Sequence, residues 1–239
     1  MLPIQEISAA LLSSTLISPC MMLIDLSIHR SHQHAEKGIM SCIQTTRELR
    51  HGRIPFWKSY MVMNTVYFLT FGTANVAEYY HMAPLSMMGL TTAVNVSAMA
   101  YKDRYYASLW RSTNMHTYLP WKSRILSTIG ALGTIYAQFI QRKPLEKRMI
   151  DAGISPSAAT LLSSIAVSTS AQIISTPFHI LSMDFYRFPI QTSWERLIRI
   201  RAMYITVCTG RMLRVLPAFG GGGYLNERWK CQKIYYDTK

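Results

Sequence analysis

The sequence predicts an all-α membrane protein in which six transmembrane helices form three pseudo-symmetric hairpin repeats. Three observations carry that expectation. Only 15% of the 239 residues are charged while 49% are hydrophobic, and Lys plus Arg outnumber Asp plus Glu by 25 to 12. Soluble domains carry roughly 25% charged residues, so a sparse and basic charge set points to a bilayer protein with basic flanks. Six stretches have the length of about 20 mostly apolar residues that a bilayer-spanning helix needs. The links between them alternate long, short, long, short, long, which makes three hairpins with every long link on the same side. The basic residues punctuate apolar runs instead of building an aromatic-interleaved surface, so nucleic acid is not an expected partner.

The first span is expected over Gln5–Ile28, with Pro19 inside it, and the second over Phe56–Tyr80, with Glu78 near its end. The third starts at Pro84, a good first-turn residue, and runs to about Ala107; the fourth runs from about Pro120 to about Lys143. The fifth opens on Ser155-Pro156, a cap followed by a helix-starting proline, and continues past Pro177 to about Asp184. The sixth, about Met203–Trp229, holds Arg211 and Arg214 and is the least apolar. All six are rich in Ser, Thr, Ala and Gly, which suits helices packed on other helices. The first long link carries GIMSCIQTTRELRHG, an amphipathic helical stretch. The long-link side holds 17 of the 25 Lys and Arg residues, leaving 25 − 17 = 8 opposite, and the positive-inside tendency then assigns the long links to the side where membrane proteins keep basic loops.

The four cysteines, Cys20, Cys42, Cys208 and Cys231, are scattered and imply neither a zinc site nor a disulfide framework. The N-terminal MLPIQEISAALLSS has no basic n-region and is not an Arg-rich presequence, so targeting information is expected inside the chain. No nucleophile–base pair, metal set or nucleotide loop indicates an enzyme. Gly220–Gly223 follows R-x-x-P within a helix, so close helix packing is favoured over a phosphate cradle. His29, His32 and His34 are spaced poorly for one helix face and read as a solvated basic loop, not a metal site. His179 reads as a packed, hydrogen-bonded histidine before a protonation switch.

A repeat organises these spans. PFWKS and LPWKS place Trp57-Lys58-Ser59 and Trp121-Lys122-Ser123 at the entrances of the second and fourth helices. Aligning the even helices on Trp57, Trp121 and Ile205 sets kink positions in the odd helices at Pro19, Ala93 and Pro177. The even helices then end on Glu78-x-x-His81, Ile140-x-x-Lys143 and Glu227-x-x-Lys230. One domain, 1–239, divides into repeats of about 1–82, 83–150 and 151–239.

Gly38–Tyr80 and Met203–Lys230, the latter with Arg214-Val215-Leu216-Pro217 as R-x-x-P, resemble the mitochondrial carrier family, whose fold is six helices in three such repeats. The resemblance implies the mitochondrial inner membrane and a matrix gate of acid–base pairs. The gate slots here read Met21 and Ile24, Asn95 and Ala98, His179 and Ser182, without an acid or a base. An opposite gate is partly kept by Glu78, His81, Lys143, Glu227 and Lys230, and Arg214 stays as a vestigial cavity residue. The two WKS triplets, Trp57, Lys58, Ser59 and Trp121, Lys122, Ser123, correspond to the family's cardiolipin sites, so bound cardiolipin or another phospholipid is the expected ligand, with no other cofactor. Loss of the matrix gate leads to the expectation of a transport-inactive accessory subunit. Its partners would be other inner-membrane subunits of a respiratory or ATP-synthesising complex, with cytochrome c oxidase or its supercomplex favoured. The alternative is a divergent transporter of a small anionic metabolite using Arg214 with Lys143 or Lys230, and a carrier-like insertase is a further reading.

Overall fold

The computed structural model describes residues 3–34, 38–109, 121–187 and 190–236, and among them the only regular elements are helical. In chain order they are α1 (Ile4–His34), α2 (Gly38–Arg50), α3 (Phe56–Tyr79), α4 (Pro84–Leu109), α5 (Trp121–Tyr136), α6 (Arg142–Asp151), α7 (Pro156–Arg187), α8 (Ser193–Val215) and α9 (Gly222–Tyr236). Two π-helical turns, π1 (Ala137–Gln141) and π2 (Leu216–Gly221), join α5 to α6 and α8 to α9 without a break. The result is six long rods and one short helix, α2.

Local chemistry sets where the rods begin. Pro55 precedes α3, while Pro84 and Pro156 open α4 and α7. The fixed φ of proline suits a first turn, where its missing N–H leaves nothing unsatisfied. α8 starts on a capping box: Thr192 accepts from the Glu195 N–H, and the Glu195 carboxylate accepts from the Thr192 N–H at 2.9 Å. This cap starts the sixth rod ten residues before the expected Met203. The fourth rod runs past the expected end at Lys143, through Pro144, to Asp151. It stops where Gly153 takes a φ of 90°, a conformation that a Cβ would strain.

Each rod packs on the next: α1 on α3, α3 on α4, α4 on α5, α5 on α7, and α7 on α8 and π2. The last rod returns to α1 through α9 and π2. Two spans, Ile4–Arg30 and Pro156–Phe185, are long and apolar enough on their own to cross a membrane. Hydroxyls are frequent in these helices and several are satisfied locally: Thr70 donates to the Val66 carbonyl at 2.8 Å and Ser18 to the Ser14 carbonyl at 2.6 Å. A hydroxyl folded back on its own helix presents little polarity to its neighbours.

The interior is uneven. Met21, Met63, Phe71, Tyr106 and Phe219 belong to one apolar cluster built from α1, α3, α4 and π2. The α5–α7 contact is instead a polar ladder. Ser182 meets Ser123 at 2.8 Å and Ser127 at 2.7 Å, Gln172 donates to Thr134 at 3.4 Å, and Ser168 to Gln138 at 2.7 Å. The glycine run lets π2 and α9 lie close against this interior. A Cβ on Gly222 would come within 2.8 Å of Ile17 Cδ1, and one on Gly223 within 2.8 Å of Gln138 Nε2.

Pro19 and Pro177 lie inside α1 and α7 and cannot donate to the carbonyls four residues earlier, Thr15 and Ile173. Tyrosines supply the missing donors. Tyr204 of α8 reaches the Ile173 carbonyl at 2.9 Å, and Tyr60 of α3 approaches the Thr15 carbonyl at 3.5 Å. In both cases the donor comes from the other rod of the same hairpin.

Candidate functional site

Charged side chains gather in two layers at opposite ends of the rods. At the long-link end, Lys102 of α4 pairs with Asp25 of α1 and with its neighbour Asp103, the latter at 2.9 Å. Arg214 of α8 takes the other Asp25 oxygen at 3.1 Å, and His29 meets Asp103 at 3.2 Å. One buried carboxylate thus ties three rods together. Next to it, Arg30 pairs with Glu48 of α2; farther out, at the start of α8, Asp184 of α7 holds Arg196 and Arg199, with Arg196 stacked 4.0 Å from the Phe185 ring centre. Charges this far from water persist only when paired, and each of these carboxylates has at least one cation.

At the short-link end, Glu78 of α3 receives Lys143 of α6 and Lys230 of α9, the latter at 2.8 Å. Glu227 receives Lys230 at 2.8 Å and Arg142 at 3.0 Å. This layer also links three rods. Ser59, whose carbonyl accepts from Tyr106 at the long-link end, and Glu78 stand 19 residues apart on α3. At 1.5 Å per residue the separation is about 28 Å, close to the hydrocarbon thickness of a bilayer.

Between the layers the polar groups are neutral amides and hydroxyls. Asn75 and Asn226 exchange two hydrogen bonds, at 2.8 and 2.9 Å, and Gln138 accepts from Ser168 while approaching the Phe219 carbonyl at 3.5 Å. Gln138 and Phe219 both sit in the π-helical turns, a distortion frequent at functional sites. Among the described residues no group of three ligating side chains is placed to hold a metal.

A family model described as Probable citrulline exporter matches residues 9–232, nearly the whole chain. The chain belongs to the probable citrulline exporter family. No curated protein and no solved structure matches it. It is a membrane protein by this family and by its apolar helices.

Membership in the exporter family corrects the resemblance to mitochondrial carriers. The triplets and the R-x-x-P that carried it mark helix entrances and close packing, which bilayer helices of different families share. The accessory-subunit reading, with its respiratory chain, supercomplex and cytochrome c oxidase, is overturned by the same match.

The six gate slots do not form a layer in this exporter-family chain. Met21 is wholly buried in the apolar cluster, Asn95 donates to Thr70 at 2.8 Å, and Ser182 joins the polar ladder. Ile24 is partly buried, His179 is half-buried, and Ala98 lines a mostly apolar groove of about 490 Å³ between α3 and α4. A charged layer nevertheless exists at that end, centred on Asp25, one helical turn beyond Met21. Of the opposite set, Glu78, Lys143, Glu227 and Lys230 come together, and Arg142 joins them. His81 does not: it is exposed in the link after α3, with a φ of 50°. Arg214 is no isolated cavity arginine, since it is bound to Asp25. His29 is likewise no solvated loop residue, because it is held by Asp103 and packs edge-on to Tyr106; the side chains of His32 and His34 lie outside the described residues.

The two WKS triplets divide by direction. Trp57 and Trp121 are 74% and 67% exposed, whereas Ser59 and Ser123 are fully buried. Lys58 lies 5.1 Å over the Tyr105 ring, and Lys122 sits 5.7 Å from both Trp121 and Phe185. Arg211, which the sequence reading noted only as a charge within a span, proves to be buried.

Proposed function

We propose that this chain is a membrane transporter that exports a small zwitterionic amino acid of the citrulline type. The observation that carries the reading is the pair of interhelical ion-pair layers, roughly 20 Å apart along the rod that carries both Arg214 and Glu227, with a neutral amide-lined interior between them. Alternating access needs two closures, each made of contacts that the other state lacks, and two such layers meet that requirement. Citrulline has a carboxylate, an ammonium group and a neutral ureido group that both donates and accepts. Gln138, Gln172, Asn75 and Asn226 are buried amides of matching chemistry.

In this reading all six rods cross the bilayer as three hairpins, the chain has no enzymatic role, and anionic phospholipid lies against Lys58 and Lys122. The long links and the helix ends beside them, with 17 of the 25 basic residues, face the side from which the substrate leaves.

Purified protein reconstituted in citrulline-loaded liposomes is expected to take up labelled citrulline by saturable exchange. Amino acids without a ureido group should compete less well. Exchange no faster than in empty liposomes, in either orientation, would overturn the reading.

A further inference from the structure

Arg211 and Arg214 stand one helical turn apart on α8, yet their surroundings differ. Arg214 reaches Asp25 at 3.1 Å. Arg211 is only 8% exposed and makes a single hydrogen bond, from Nη2 to Ser175 Oγ at 3.0 Å, and its Nε has no partner. Ser175 in turn approaches Gln172 at 3.4 Å, so the guanidinium is hydrogen-bonded to a neutral group alone and forms no ion pair among the described residues. The buried interior acids are already engaged: Asp25 by Lys102 and Arg214, and Asp184 by Arg196 and Arg199.

A buried cation without an anion carries a large desolvation cost, and most of the guanidinium's five N–H groups here are unused. Folding alone gives no reason to keep such a group, because an apolar residue of similar size would pack without that cost. We infer that Arg211 receives the carboxylate of the transported amino acid, with Ser175 as the positioning residue that holds the guanidinium in place. This inference rests on the transporter reading and deepens it. A planar fork of donors matches a planar carboxylate through two parallel hydrogen bonds, which a spherical ion does not exploit. Ser175 lies two residues before Pro177, so an anion on Arg211 would be anchored beside the proline of α7.

The test compares citrulline with citrullinamide, in which the carboxylate is replaced by a neutral amide, using thermal melting of the purified protein in detergent. Citrulline should stabilise the wild type, citrullinamide should bind it at least about tenfold more weakly, and Arg211→Gln should bind the two alike. Without ligand, Arg211→Gln should melt at the wild-type temperature or above it, a result that a purely structural arginine would not give. If Arg211→Gln fails to fold, Arg211→Lys keeps the charge but loses the fork, and should bind citrulline roughly three- to tenfold more weakly. The inference is overturned if citrulline binds Arg211→Gln, or in its place Arg211→Lys, as tightly as wild type. It is overturned equally if sodium chloride protects the wild type as well as citrulline does at the same concentration. Arg211-dependent protection by citrulline in a protein that exchanges no citrulline would support the carboxylate site while sinking the transport reading.

Discussion

The two charged layers do the same geometric work in different solvents. At the long-link end the side chains of Asp25, Lys102 and Arg214 are 3%, 1% and 16% exposed; at the short-link end those of Glu78 and Lys143 are 40% and 55% exposed. A dry ion pair repays its desolvation only while every partner stays in place, so losing one member is severe. A wet pair gains little and gives up little. The Asp25 cluster is therefore a firm tie and the Glu78–Lys143 pair a light one, while Arg142, Lys230 and Glu227 beside that pair are 6%, 14% and 25% exposed. A transporter built this way must invest substrate contacts mainly in parting the Asp25 cluster.

That contrast can be broken most forcefully at Asp25. Asp25→Asn leaves Arg214 buried without a carboxylate and Lys102 with Asp103 alone, and should lower stability by about 3 kcal/mol, read as a large drop in melting temperature. Unchanged melting would mean that water already reaches this layer. A second comparison concerns the surface of the same end. Replacing Lys58 and Lys122 together with Ala should weaken binding to anionic vesicles by about 1 kcal/mol per lysine and leave binding to neutral vesicles unchanged. Equal loss on both vesicle types would assign these residues to packing. The smallest effect is expected at Glu78, where Glu78→Gln should cost about 0.2–1 kcal/mol, a difference that fades in molar salt as screening takes over. A cost that survives high salt would show the short-link layer to be as dry as the other.

The rods were legible because long apolar runs with prolines at their starts leave few alternatives, and Pro84 and Pro156 do open their helices. The short-link layer was legible in part: aligning the even helices singles out Glu78, Lys143, Glu227 and Lys230, which come together, but also His81, which does not, and it passes over Arg142. The long-link layer was hidden for two reasons. The expected register puts the acid slot at Met21, one turn short of Asp25, and the base slot on the same helix at Ile24. Lys102 and Arg214 come instead from two other rods, 77 and 189 residues away. Contacts between rods depend on how each is rotated, and helices whose small residues run around the whole circumference carry almost no signal of that rotation. The same uncertainty concealed Arg211: a charge inside a span reads alike whether it faces an acid, a serine or lipid. Family membership was obscured because the matching triplets report helix ends, a property of bilayer folds in general.

The proline–tyrosine ties have a mechanical consequence. Pro19 and Pro177 are the natural flexure points of α1 and α7, and each released carbonyl is gripped by a tyrosine from the companion rod of its hairpin. A rod that flexes there drags its companion with it, so the first and third hairpins swing as levers of two rods each. α4 carries no internal proline, only Pro84 at its start, and the second hairpin has its irregularity in the other rod, at π1 and Pro144. The joints of the bundle are thus unevenly placed, and its rocking is lopsided.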